Sequence, residues 1–132
     1  MQTNLSNFTE LAGRVLLAAL FLIAGLGKIA GYAGTQAYMH AQGVPGALLP
    51  LVIATEVGGA ALVAMGLWTR WVAFALAGFT LLAALLFHAN AADQVQQIMF
   101  LKNVSIAGGF LLLVANGAGA WSLDARRRAG SR

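Results

Sequence analysis

One acidic side chain lies inside an apolar run that is long enough to cross a bilayer. The run is Leu48–Gly66, LLPLVIATEVGGAALVAMG, and the acid is Glu56. A spanning helix needs about 20 apolar residues, and a charged residue at its centre costs about 2.5–3.5 kcal/mol. The carboxyl group must therefore be protonated, face a wet cavity or pair with a cation on another helix. We expect a pair, because Lys28 and Lys102 lie in other apolar segments.

The composition indicates a membrane protein. Of 132 residues, 60% are hydrophobic and only 9% are charged, whereas a soluble domain carries about 25% charged residues. The fold class predicted is an all-α membrane protein, an antiparallel bundle of four transmembrane helices in one domain over residues 1–124. The predicted spans and tail are residues 11–30, 48–67, 71–88, 94–118 and a basic tail at 125–132.

The arginines predict how the bundle is oriented. Four spans place both termini on one side of the membrane, and the positive-inside rule makes that side the cytoplasm. The net charge of +4 is therefore interpreted as a topology signal, and no nucleic-acid partner is expected. We expect Arg14, near a helix end, to extend toward the membrane interface. The arginines assigned to the cytoplasmic side are Arg14, Arg70, Arg126, Arg127, Arg128 and Arg132.

Polar residues from all four spans fall in the half of the membrane away from this tail. Successive spans run in opposite directions, so these positions can converge on one interior site in a compact bundle. The predicted site residues are Lys28, Glu56, His88, Lys102 and Asn103.

Several alternatives stay open for this polar cluster. One alternative is that the pair between Glu56 and a lysine has a purely structural role and fixes helix register. Another is that Glu56 is protonated and faces a neighbouring subunit. Lys28 can instead extend to the interface. His88 is either an interfacial residue, a proton relay or a hydrogen-bonding partner of a quinone carbonyl.

Two features of the loops predict local structure. Residues 35–42 are expected to form about two helical turns at the interface, with Tyr38 and Met39 toward lipid. Asp93 followed by Gln96 has the spacing of a capping box that opens the fourth span. The chain has no cysteine and two histidines, so we expect no thiolate chemistry, no metal and no covalently bound cofactor.

Short motifs in a fixed order resemble the DoxX family of small bacterial inner-membrane proteins, from Arg14 to Asp124. The resemblance implies a four-helix bundle in the bacterial inner membrane, and it draws attention to the same five polar positions without supplying a catalytic residue. The motifs are FLIAGLGKI (21–29), GVP (43–45), TEVGGA (55–60), GLWTR (66–70), FH (87–88), LKNVSIAGG (101–109) and SLD (122–124).

The family takes its name from a subunit of a thiosulfate:quinone oxidoreductase, and other members are linked to redox homeostasis. The resemblance therefore implies a membrane subunit or accessory of a quinone-linked redox system, with quinone as a candidate ligand. The expected partners are the lipid bilayer and a soluble or membrane redox protein, and self-association stays open. A non-catalytic scaffold or assembly factor and a small-solute carrier are the alternatives, and enzymatic activity is left undecided.

Overall fold

A computed structural model describes residues 3–131, and every regular element in that range is helical. Four of the helices are long and apolar enough to cross a membrane, which confirms the predicted all-α, four-span class. Arg132, the last arginine of the tail, lies outside the described residues. The helices are α1 (Asn4–Ala30), α2 (Tyr32–Ala41), α3 (Leu49–Met65, preceded by a 3-10 turn at Gly46–Leu48), α4 (Thr69–Phe87), α5 (Gln94–Asn116) and α6 (Leu123–Gly130).

Side-chain caps explain where the structure has more helix than the apolar runs predict. The hydroxyl of Thr3 accepts a hydrogen bond from the backbone N–H of Ser6, so α1 begins within the polar N-terminal residues. The hydroxyl of Ser122 accepts one from the N–H of Ala125 and starts α6 in the basic tail. Such caps satisfy backbone donors that a helix leaves free at its N-terminus.

Small residues set how closely the spans pack, with α1 along α3 and α4 along α5. A Cβ added at Gly25 of α1 would lie 2.6 Å from Cγ2 of Val57 in α3. Close backbone approach of this kind replaces the hydrophobic effect as the source of packing energy in lipid. The rings of Phe21 and Phe110 pack edge to face, with their centroids 5.4 Å apart, and join α1 to α5 in the core.

The bundle has two ends. We call one the tail end, after the basic tail, and the other the cavity end, because the helices enclose a cavity there. The tail end comprises the start of α1, the turn between α3 and α4, and α6. The cavity end comprises α2, the end of α1, the start of α3 and the loop between α4 and α5.

Arg14 is buried inside the tail end, so the expectation that it extends to the interface is wrong. Its side chain is 1% exposed. Nη1 donates to the carbonyl oxygens of Val63 at 3.1 Å and Ala64 at 2.9 Å, and Nη2 donates to that of Trp121. The last carbonyls of α3 have no partner within the helix, and a cation near a helix C-terminus is stabilised by the helix dipole. Glu10, one turn earlier on α1, adds a favourable negative charge.

Asp124 fastens α6 to the turn between α3 and α4. Its carboxylate accepts hydrogen bonds from the backbone N–H groups of Trp68 at 2.8 Å and Thr69 at 2.9 Å. Its own N–H donates to the carbonyl of Gly66 at 2.9 Å. The turn needs left-handed backbone at Gly66 (φ 70°) and Trp68 (φ 51°). The GLWTR and SLD motifs therefore contact each other, and the acid lies at the N-terminus of α4, where the helix dipole favours it.

This contact predicts acid sensitivity. Burial raises the pKa of Asp124, but hydrogen bonds from Thr69 and Trp68 and the charge of Arg128 lower that pKa to a net value below its ordinary one. A group whose pKa is lower in the folded state contributes stability above its unfolded pKa of about 3.9 and loses it as the pH falls further. We expect the melting temperature to fall in this acid range less steeply for Asp124→Asn than for the wild type. Equal slopes for the two proteins would contradict the assignment.

A polar cavity as the candidate functional site

A cavity of about 490 Å³ opens at the cavity end, between α1, α2, α3, α4 and α5. All five side chains that the sequence predicted to converge lie in its wall: Lys28, Glu56, His88, Lys102 and Asn103. Most of the remaining wall is apolar, and the ring of Phe21 is part of it. The site therefore combines an apolar interior with a few polar groups, which is the usual character of a small-molecule pocket.

The acid in the apolar run forms an ion pair with Lys28. The Nζ atom of Lys28 lies 2.8 Å from Oε1 and 3.2 Å from Oε2 of Glu56. Gly25 lets α1 approach α3 closely, since a Cβ added at Gly25 would lie 3.2 Å from Cβ of Glu56. Lys28 is three residues after Gly25 and lies on the same face of α1, so its side chain reaches the carboxylate. The Glu56 side chain is 4% exposed and that of Lys28 is 32% exposed. The pair is thus open on its cationic side only.

His88 is held in a defined orientation at the end of α4. Its Nδ1 lies 2.7 Å from Oε1 of Gln96, so the predicted capping box forms only in part. Asp93 does cap α5, accepting from the N–H of Val95 at 2.9 Å, but Gln96 turns to the imidazole instead. With Nδ1–H donating to that oxygen, a neutral ring presents Nε2 as an acceptor.

Asn103 and Lys102 differ although they are neighbours on α5. The amide of Asn103 donates to the carbonyl oxygen of Thr80 at 3.2 Å and so joins α5 to α4. Lys102 lines the cavity, and the Lys28–Glu56 bridge is the one salt bridge within residues 3–131. Lys102 therefore brings a cation to the cavity without a carboxylate from the described chain to balance it.

Helix α2 covers the cavity and corrects a second expectation. Met39 is 3% exposed and points inward, whereas the sequence was interpreted as placing it toward lipid. Tyr38 stacks on Phe87 of α4, with ring centroids 5.6 Å apart, and the side chain of Gln36 donates to the carbonyl of Gly46 at 3.2 Å. Apolar burial and ring stacking thus draw α2 onto the bundle. Both Tyr38 and Met39 belong to the cavity wall.

The cavity offers hydrogen-bonding and charged groups rather than a set of metal ligands. Within the part of the chain from residue 3 to residue 131, no group of three or more His, Cys, Asp or Glu side chains comes together in a way that could hold a metal ion. The polar side chains of the wall include two ammonium groups, a carboxylate, an imidazole and an amide. These groups can hold the polar end of an organic ligand whose remainder is apolar.

Comparison with known proteins gives consistent matches. The DoxX family model matches residues 9–89. The chain is 56% identical over 121 residues to the inner membrane protein YqjF of Escherichia coli (strain K12). The matched residues are 92% of this chain and 93% of that protein. It is 40% identical over 123 residues to the inner membrane protein YphA of the same organism, covering 88% of each. No solved structure gives a significant match.

Proposed function

Because this chain belongs to the DoxX family and is a bacterial inner-membrane protein, we propose that its cavity binds a quinone or quinol. The protein then serves a quinone-linked redox system as a membrane subunit or accessory. The observation that carries the proposal is the convergence of Lys28, Glu56, His88, Lys102 and Asn103 on one otherwise apolar cavity. A redox partner protein, soluble or in the membrane, completes the system.

The cavity suits a quinone ring in both size and chemistry. Its volume of about 490 Å³ lies in the range of about 300–1,000 Å³ that is usual for small-molecule sites. A quinone has a flat apolar ring with a carbonyl oxygen at each end, and the ammonium group of Lys28 can donate to one of them. The stacked rings of Tyr38 and Phe87 form an aromatic part of the wall.

His88 gives the site a way to manage a proton. With its Nδ1 held by Gln96, the Nε2 atom of the neutral imidazole can accept a hydrogen bond or a proton from a quinol hydroxyl. A bound quinone would supply the two-electron chemistry, and this chain would bind it, orient it and hold that proton. The hydrogen bond between Nδ1 and Gln96 fixes which ring nitrogen is available to a ligand.

A thermal-shift experiment in lipid nanodiscs tests this function. We expect a short-chain ubiquinone or menaquinone to raise the melting temperature of the wild type, because a ligand that binds only the folded state stabilises it by about 2.7 kcal/mol at one hundred times its Kd. The matched control is Ala83→Phe, which adds a ring inside the cavity wall. The proposal fails if the wild type shows no shift, or if the filled variant shifts equally.

We also propose that the tail end faces the cytoplasm, because the described arginines gather there and cytoplasmic loops carry the excess of Lys and Arg. The absence of native cysteine makes single-cysteine variants clean reporters. In spheroplasts we expect a membrane-impermeant maleimide to label Gln42→Cys, at the exposed end of α2, and to leave Ser131→Cys unlabelled until the membrane is opened. If Ser131→Cys alone is labelled before the membrane is opened, the tail end faces the periplasm and the proposed orientation is wrong.

A further inference from the structure

The wall of the cavity carries one more positive charge than negative. Lys28 and Lys102 both line it, and Glu56 is the acid that faces them. The carboxylate is already engaged at 2.8 Å by Lys28, so that pair is close to neutral. The surplus charge therefore belongs to Lys102.

Lys102 is an exposed residue of the bundle that also borders the cavity, and its depth along the span makes the surplus charge unfavourable. It lies eight residues after Gln94, the first residue of α5, or about 12 Å along the helix at 1.5 Å per residue. A cation inside an apolar span is unfavourable unless something compensates it. Because Lys102 borders the cavity, the contents of the cavity can supply that compensation.

The packing leaves room for a compensating group between α5 and the ion pair. Helices α1 and α5 approach each other where Phe21 meets Phe110 and where Gly109 lies against Leu17, whose Cδ2 would be 3.3 Å from an added Cβ. Beyond Phe21, toward the cavity end, the space between the two helices is the cavity itself. A ligand there would touch Lys102 on one side and the Lys28–Glu56 pair on the other.

We propose that the ligand of this cavity carries one ionised oxygen, as an acidic hydroxyquinone does, and that Lys102 pairs with it. The inference rests on the proposed quinone function and narrows it from quinones in general to anionic ones. In the loaded site each charge has a partner: Lys28 with Glu56, and Lys102 with the ligand. Charge-assisted hydrogen bonds of this kind are shorter and about twice as strong as neutral ones.

Two naphthoquinones that differ in one group provide the test. The hydroxyl of 2-hydroxy-1,4-naphthoquinone is ionised at neutral pH, whereas 2-methoxy-1,4-naphthoquinone stays neutral and has a similar shape. Binding to the full chain in nanodiscs is measured for the wild type, Lys102→Gln and Lys102→Arg. We expect the wild type to prefer the hydroxy compound by about tenfold or more, since a charge-assisted hydrogen bond is about twice as strong as a neutral one.

The variants assign that preference to one residue. Lys102→Gln should lose the preference for the hydroxy over the methoxy compound, whereas Lys102→Arg should keep that preference. Equal wild-type affinity for the two compounds would overturn the inference and leave the quinone function standing. A preference that survives in Lys102→Gln would overturn the role of Lys102.

A third probe separates the inference from the function on which it rests. Dodecanoate is an apolar chain with one carboxylate and no quinone ring. If dodecanoate binds in a Lys102-dependent way and neither naphthoquinone binds, the anionic ligand is supported and the quinone is not. If none of the three compounds binds the wild type, both proposals fail.

Discussion

Arg14→Ala is expected to lower the free energy of unfolding by about 3–5 kcal/mol, because it deletes a buried guanidinium that donates three hydrogen bonds. The substitution removes the donor of the carbonyl oxygens of Ala64 and Trp121, and it leaves the carbonyl of Val63 with the N–H of Gly66 alone. Each unsatisfied buried acceptor costs about 1–3 kcal/mol. It also removes the positive charge that faces Glu10. The loss should be among the largest of any single substitution, because one side chain joins α1, the end of α3 and the segment before α6.

The matched control for this prediction is Arg126→Ala, which removes an exposed arginine from α6 at the same end of the bundle. Surface substitutions usually change stability by less than about 0.5 kcal/mol, so the two variants should separate clearly in reversible unfolding in mixed micelles. Arg14→Lys should recover only part of the stability that Arg14→Ala loses, because an ammonium group cannot match the fork of a guanidinium. If Arg14→Ala unfolds like Arg126→Ala, Arg14 does not hold the tail end together.

The second large effect is an asymmetry between the two partners of the cavity ion pair. Lys28→Met strands the carboxylate of Glu56, which is 4% exposed, and removing one partner of a buried pair costs about 3–5 kcal/mol. Glu56→Gln leaves Lys28, which is 32% exposed and can turn its ammonium toward water. That change should cost about 1 kcal/mol, the value for a pair that solvent reaches.

The double variant Lys28→Met with Glu56→Gln completes the cycle. It should be more stable than Lys28→Met alone, because the stranded charge is gone, and replacing a buried pair by neutral groups is often nearly neutral. Unfolding free energies of the four proteins measure this directly. Equal losses for the two single variants would show that Lys28 is as desolvated as Glu56, and additive losses in the double variant would show that the two are not coupled.

The sequence was sufficient to place the polar residues at one end of the bundle. Spans alternate in direction, so chain position gives depth, and depth alone put Lys28, Glu56 and His88 at the same level. It was not sufficient to say which lysine pairs with Glu56. That choice depends on how α5 is rotated about its axis, and the apolar residues of α5 surround the helix too evenly to fix the rotation.

The errors in prediction share a physical cause. Arg14 looked interfacial because the sequence shows a charge near a helix end and does not show the carbonyls at the end of α3 that accept hydrogen bonds from it. Met39 looked lipid-facing because α2 is short and only weakly amphipathic, so its inward face is decided by Tyr38 stacking on Phe87. Both depend on contacts between residues far apart in the chain, which local pattern does not contain.

We propose that the cavity at the cavity end of the bundle, between α1, α3, α4 and α5, holds a quinone-type ligand. Mass spectrometry of small molecules retained by the protein after gentle extraction from its native membrane tests it most directly, with Ala83→Phe purified in parallel. We expect the wild type to retain a quinone in near-stoichiometric amount and the filled variant to retain much less. A wild-type protein that retains no quinone, or a filled variant that retains as much, would contradict it.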